Sequence, residues 1–472
     1  KTHYNPILSD AGFHNNLVYR VKKISSINQA HDYIKTLGEI PNFVKQNIEL
    51  ISRGLDMGIS QPKIIFEGYN STYDKHITPS YKNNFYYSPF LKLPNSIPNY
   101  IKDSLQVLAA NIIMDSVIPS FKKIKHFFEK EYLPRTRNSI GVSQIPNGDK
   151  YYESRIRYYT TIEIKPQEIH KLGIAEVEKI KKQMFEVISK VKFQGDFNEF
   201  LSFLRTNKKF YASSPKELLV HARDIAKRLD EQLPRFFKHL PRQPYGVAPV
   251  PSSIAPKYTG GRYIPAAKDG TSPGFYWVNT YNLSSRPLFN IPALTAHEAV
   301  PGHHLQGALN KELPDSIPKF RRDLYLSAFG EGWGLYSELL AEEMGIYSTP
   351  YEKFGQLSYS MWRACRLVVD TGIHSFDWTR EQAIEYMLNN TALSEHEINT
   401  EVDRYISWPG QALSYKIGEL KIVELRKKAE EKLKEKFNIR DFHESILKNG
   451  TLTLPLLEDQ ISEYIASSLS KD

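Results

Sequence analysis

Apolar residues recur at three- and four-residue steps along most of this 472-residue chain, and the pattern lapses only between Pro234 and Pro292. Such spacing gathers apolar side chains on one face of a helix, so a mainly α body is expected. Ile101, Leu105, Leu108, Ile112 and Ile113 lay out one such face, and Phe121, Ile124 and Phe128 continue it past Pro119. The exceptional stretch holds Pro249, Pro251, Pro256, Gly260, Gly261, Gly270, Pro273 and Gly274, which interrupt helices and favour turns. Within it, Phe275 to Tyr281 is aromatic and branched and lies between Gly274 and Asn282. That predicts a strand.

Composition narrows the class. One cysteine, Cys365, cannot build a disulfide scaffold, so stability must come from a packed core. The 62 basic and 53 acidic residues leave a net charge of +9, but the lysines are dispersed. Their densest run, Lys421 to Lys436, alternates in sign as a solvated helix face does, so nucleic acid is not an expected partner. No window approaches the ~20 apolar residues that span a bilayer, and no transmembrane segment is expected. The chain starts at Lys1 without methionine or a signal-like apolar run. The expected location is the periplasm or envelope after removal of a leader, with the cytoplasm as alternative.

Shortly after the strand comes His297-Glu298-Ala299-Val300-Pro301-Gly302-His303-His304. In zinc hydrolases, His-Glu-x-x-His puts two imidazoles one helical turn apart and a glutamate beside the metal water. Here Pro301 occupies the fourth position after His297. Six residues of ideal helix would turn a side chain by about 240° and carry it about 9 Å, too far to share an ion. Pro301 and Gly302 supply the place for a bulge or kink. A two-residue excursion selects His303 as the second ligand, and a three-residue one selects His304. The smaller distortion favours His303.

A catalytic zinc site takes a third protein ligand and leaves a position for water. Glu331 lies 331 − 303 = 28 residues after His303, within Gly330-Glu331-Gly332-Trp333-Gly334. Each glycine inside a helix costs ~1 kcal/mol relative to alanine, so three in five positions imply a close helix approach. Glu331 is the expected third ligand. Glu338, Glu342 and Glu343 follow an exposed-face pattern.

The segments His297 to Gln306, Gly330 to Tyr336 and Trp408 to Gly418 resemble the signatures of the bacterial domain of unknown function 885. That family resembles zinc metallopeptidases of the carboxypeptidase Taq and thimet oligopeptidase type. The resemblance implies a large helical body with a deep groove, and a small sheet or edge strand beside the metal-site helix. The expected organisation is an N-terminal helical region over 1–135 and a catalytic region over 136–472. The latter comprises helices over 165–232, a loop-and-strand insert over 234–292, metal-site helices over 293–345 and C-terminal helices over 350–470. All are expected to pack as one continuous body.

The expected activity is zinc-dependent hydrolysis of a peptide, with one Zn2+ ion and Glu298 as general base. Tyr415 is the expected oxyanion donor, sharing a helix face with Gln411 after Pro409-Gly410. His374, Arg404 and Tyr405 are further candidates. Lys416 or Arg404 would bind a substrate carboxylate in a carboxypeptidase. The resemblance also makes the Phe275–Tyr281 strand the edge that pairs with substrate backbone, with Trp277 and Asn279 lining the cleft. Tyr258 to Tyr263 reads as a flap or a static loop. His443 reads as structural. Two other functions fit the same ligands: a non-haem iron oxygenase with a two-histidine, one-carboxylate face, or an inactive binding protein. Neither requires Glu298.

Overall fold

The computed structural model describes residues 3–9, 11–21, 23–252, 254–266 and 272–470. Gly270 lies outside them. The chain is mainly helical, with 69% of residues in helix and 4% in strand, as the periodicity predicts. It divides into two compact units, one running to Tyr151 and including Asp403–Trp408, the other made of Tyr152–Val402 and the chain from Pro409. The division falls at Tyr151/Tyr152 rather than at 135/136.

The first unit is organised on a helical run, Asn99–Arg135, that contains two π-helical turns, Ile113–Val117 and Phe127–Tyr132. A π turn takes in an extra residue, so a repeat of four can stay on one side. Leu105, Ala109, Ile113, Val117, Phe121 and Phe128 accordingly form the buried stripe, while Leu108, expected on it, is 44% exposed. Among the described residues this run is the one long and apolar enough to cross a membrane. Its stripe is core, where Phe128 meets Phe13, Phe66, Tyr69 and Tyr73, so it makes no clear transmembrane segment.

The second unit carries the expected site. The helices that build it are α1 (Pro166–Lys190), α2 (Pro215–Phe236), α3 (Ile291–Glu298), α4 (His303–Lys311), α5 (Ser327–Glu343), α6 (Pro350–Ser375) and α7 (Ser414–Leu433). α6 starts at Thr349, which caps Glu352 N–H, and is buried from Phe354 to His374. A helix buried on every side is a core element. α1 reaches it at Gly173, where a Cβ would fall 2.8 Å from Leu367 and Val368 side-chain atoms.

Strands β1 (Tyr245–Pro249), β2 (Gly261–Ile264) and β3 (Gly274–Val278) form one sheet in the order β1-β3-β2, with β1 parallel and β2 antiparallel to β3. Tyr276 and Val278 point into the core and Phe275 and Trp277 are half-buried, the alternation of a strand with one covered face. The expected strand is therefore present, but it is central rather than an edge. Pairing on both sides leaves its backbone no free rim: Trp277 faces Ala248 on one side and Arg262 on the other. β2 is an edge, and it takes in half of the expected flap.

Candidate metal centre

The His-Glu motif does not bulge within one helix. α3 ends at Glu298, Ala299 to Gly302 form a turn, and α4 starts at His303. Gly302 N–H returns to Ala296 O at 3.0 Å, His304 N–H reaches Ala299 O at 3.0 Å, and Trp333 Nε1 holds Pro301 O at 2.8 Å. A Cβ on Gly302 would collide with the His297 carbonyl. The break performs the task expected of a bulge, bringing His303 beside His297.

The two rings meet at 86°, with centroids 4.7 Å apart. From α5, Glu331 Oε2 lies 3.6 Å from His297 Nε2 and 3.4 Å from His303 Nε2. All three ligand atoms fall within 4.8 Å of one another, so this group could hold a metal ion. Tetrahedral zinc with bonds of ~2.05 Å sets its ligand atoms roughly 3.3 Å apart, close to the two separations found. Burial favours neutral imidazole, yet Glu331 and Glu338 raise the His297 pKa to about 9. Burial would raise Glu331 too, but the two imidazoles hold it well below the ordinary carboxylate range. Both shifts show a cluster that attracts positive charge.

His297 is fixed from two sides. Its Nδ1–H donates to Glu338 Oε1 at 2.8 Å, which turns the Nε2 lone pair toward Glu331 and His303. On the other side a Cβ at Gly334 would fall 2.7 Å from the ring, so only glycine fits there. Glu338 is 1% exposed and also takes Arg363 Nη2 at 3.3 Å. Its exposed-face reading was wrong because α6 covers that side of α5. The neighbouring glycines admit other partners: the backbone of α7 at Gly418 packs on Gly332, and the Tyr325 ring on Gly330.

Glu298 accepts a hydrogen bond from Tyr263 N–H at 2.8 Å, and its charge raises the pKa of both His297 and Tyr325. Tyr325 Oη donates to Glu331 Oε1 at 3.0 Å. Tyr325 is 53% exposed as a whole, but its hydroxyl end is enclosed against Glu331; that enclosure, then the Glu331 charge, pushes its pKa up. Tyr415 also acts on Tyr325; it takes a 3.4 Å contact from Gln411 Nε2 and carries Arg366 4.4 Å over its ring. Two phenols thus accompany the ligand set, of which the sequence pointed only to Tyr415. The signal for the other was available: an aromatic residue six positions before Glu331, facing a glycine.

The sequence matches a family described as bacterial protein of unknown function (DUF885) over residues 3–461. The chain belongs to this family. It is similar to a candidate lipoprotein from Colwellia psychrerythraea of known crystal structure, with TM-score 0.89 and 31% identity over 96% of this chain and 78% of that one. A candidate lipoprotein of unknown function from Shewanella oneidensis aligns at TM-score 0.66 over 97% of this chain and 83% of that one. At 15% identity that likeness shows the fold alone. No curated protein matches the sequence.

In this DUF885 protein several other expected residues serve the framework. His304 turns away from the ligands: its Nε2 bonds Gln243 O at 3.1 Å, its ring rests on Tyr245 and Tyr263, and burial lowers its pKa to about 4. Asn279, expected in the cleft, is fully buried; its Nδ2 bonds the carbonyls of Ala255, Tyr258 and Thr259 and its Oδ1 takes Tyr281 N–H. It staples a loop. Lys416, expected to meet substrate, is 1% exposed and engaged with Glu419 at 2.6 Å, Ser360 Oγ at 2.9 Å and Glu176 at 3.9 Å. Trp277 sits in the central strand, 6.1 Å from the Tyr258 ring. His374 is buried on α6 against Tyr152, with ring centroids 5.2 Å apart. Arg404 and Tyr405 stack on each other at 5.4 Å and belong to the first unit. His443 is a core histidine, bonded to Phe236 O and Tyr336 Oη and stacked on Phe237.

Proposed function

We propose that this protein is a zinc-dependent peptide hydrolase. The observation that carries the reading is the convergence of His297, His303 and Glu331 with a second carboxylate, Glu298, on the residue next to His297. When bound by those three residues, zinc would supply Lewis-acid polarisation of water and of a carbonyl. Glu298 accepts the proton of the attacking water and delivers it to the leaving amine. Tyr325 and Tyr415 offer hydroxyls to the carbonyl oxygen as it gains negative charge, a contribution of about 3–4 kcal/mol for one well-placed donor. Glu338 and Gly334 keep the His297 ring in one orientation.

β2 is the strand that supports substrate pairing in this reading. Arg262 and Ile264 pair with β3, whereas Tyr263 N–H faces the other way, toward Glu298. The rim at Gly261 and Tyr263 is where an extended peptide would add as a strand, gaining affinity through its backbone rather than its side chains. An iron oxygenase would share the three ligands but has no work for Glu298. The relative from Colwellia psychrerythraea supports placing the protein at the bacterial envelope.

The test is metal analysis and cleavage of a mixed peptide library by wild type and Glu298→Gln. We expect about one zinc per chain in both, and chelator-sensitive cleavage in wild type only. Zinc below half an equivalent without metal-restorable cleavage would reject the reading. Cleavage by Glu298→Gln at the wild-type rate would reject Glu298 as the base.

A further inference from the structure

We infer that Arg286 is the receptor for a carboxylate on the peptide substrate, an inference that rests on the peptidase reading. The buried cations around the centre have partners: Arg363 holds Glu338, Arg366 holds Glu401, and Lys416 holds Glu419. Arg286 differs. Its contacts are few: Nη1 reaches only the carbonyl of Ser285, at 3.4 Å, and its buried Nε has no acceptor. Among the described residues no carboxylate lies within 4.0 Å of it. Arg286 is half-buried with no carboxylate in contact, and an arriving carboxylate gains paired charge-assisted bonds from it. Glu397 feels the Arg286 charge but makes no ion pair with it within 4.0 Å.

Its position gives the vacancy in its coordination a direction. A Cβ at Gly260 would stand 3.9 Å from both Arg286 Nη1 and Leu294 Cδ2, so the guanidinium lies where β2 begins and beside α3, three residues before His297. Three residues on from Gly260, Tyr263 N–H holds Glu298. The outer rim of β2, which among the described residues pairs with no other strand, therefore runs from the base to Arg286 over roughly 10 Å of strand. A peptide antiparallel to β2 has its C-terminal end at the Gly260 side. Its carboxylate reaches Arg286 two or three residues past the cut, at about 3.4 Å per residue. Either the chain terminus or an Asp or Glu side chain supplies that group.

The experiment compares three N-acetylated peptides of otherwise neutral sequence: the free acid, the C-terminal amide, and amides with one Glu moved through the positions after the cut. Zinc-loaded wild type, Arg286→Gln and Arg286→Lys are assayed for kcat/KM and product masses, and binding to Glu298→Gln is followed by fluorescence anisotropy. We expect wild type to favour a carboxylate-bearing peptide at least tenfold, mainly through KM. Arg286→Gln should abolish the preference, and Arg286→Lys should keep part of it with an unchanged circular dichroism melt. Preference for the free acid identifies the terminus, and preference for the Glu-amide identifies a side chain. Rates and affinities within twofold across the three peptides, or a preference that survives Arg286→Gln, overturn the assignment while continued cleavage leaves the peptidase reading standing. Absence of both cleavage and binding overturns both.

Discussion

Replacing Glu338 tests whether the candidate metal centre depends on the carboxylate behind His297. Glu338→Gln leaves an acceptor 2.8 Å from Nδ1 but removes the charge that orders the ring, and Glu338→Leu removes both. Loss of such an outer partner costs about 10–100-fold in metal affinity, or roughly 1.4–2.8 kcal/mol. We expect the lower figure for Gln and the upper for Leu, measured by competition with a chromophoric chelator. Either change also strips Arg363, only 4% exposed, of its counter-charge at 3.3 Å. Breaking a buried pair destabilises by about 3–5 kcal/mol. Arg363→Met added to Glu338→Leu should therefore recover stability in urea unfolding without recovering zinc affinity. Zinc binding within twofold of wild type in Glu338→Leu would refute the orienting role. Restoration of affinity by Arg363→Met would show that the stray charge, and not the freed ring, caused the loss.

Glu298→Gln should retain zinc and lose about 10²–10⁴-fold in hydrolysis, read by single-turnover cleavage, because the ligands survive and only proton transfer is lost. Gly334→Ala places a methyl 2.7 Å from the His297 ring and should weaken zinc binding more than it lowers the thermal transition, as chelator competition and calorimetry on one sample would show. His443 is buried and neutral in the folded chain, its pKa lowered by burial from 6.5 to about 3. The unfolded chain binds that proton more readily, so the stabilisation is full above pH 6.5 and is lost as pH falls toward 3. One such histidine removes roughly 2 kcal/mol between pH 6.5 and 5, measurable as a slope in urea stability that His443→Gln should reduce.

Features governed by near neighbours in the chain were legible without the structure. The helical period, the β3 segment, the Pro301-Gly302 interruption that selects His303 over His304, and the glycines around Glu331 depend on backbone sterics and short spacings. The first unit shows a limit even there, since Leu108 is exposed while the buried stripe steps by four from Leu105 through Ala109. Roles that depend on what arrives from elsewhere were not legible. Glu338 has the local pattern of a surface residue and becomes the support of His297 because α6 brings Arg363 over it. Lys416 looks available to substrate until Glu176, 416 − 176 = 240 residues earlier, and Glu419 enclose it. Asn279 looked like part of a cleft and proved to hold a loop.

The sequence by itself determined the helical class and pointed to the His297, His303 and Glu331 group that could hold a metal, with Glu298 beside it, since each follows from side-chain chemistry and the short-range geometry of the chain. Tertiary structure alone decided which strand is the edge, which carboxylate orients His297, and which arginine is left without an anion. Those depend on burial and on partners hundreds of residues away. A buried charge has a role only once its surroundings are known, because desolvation and pairing, not residue type, set its energy.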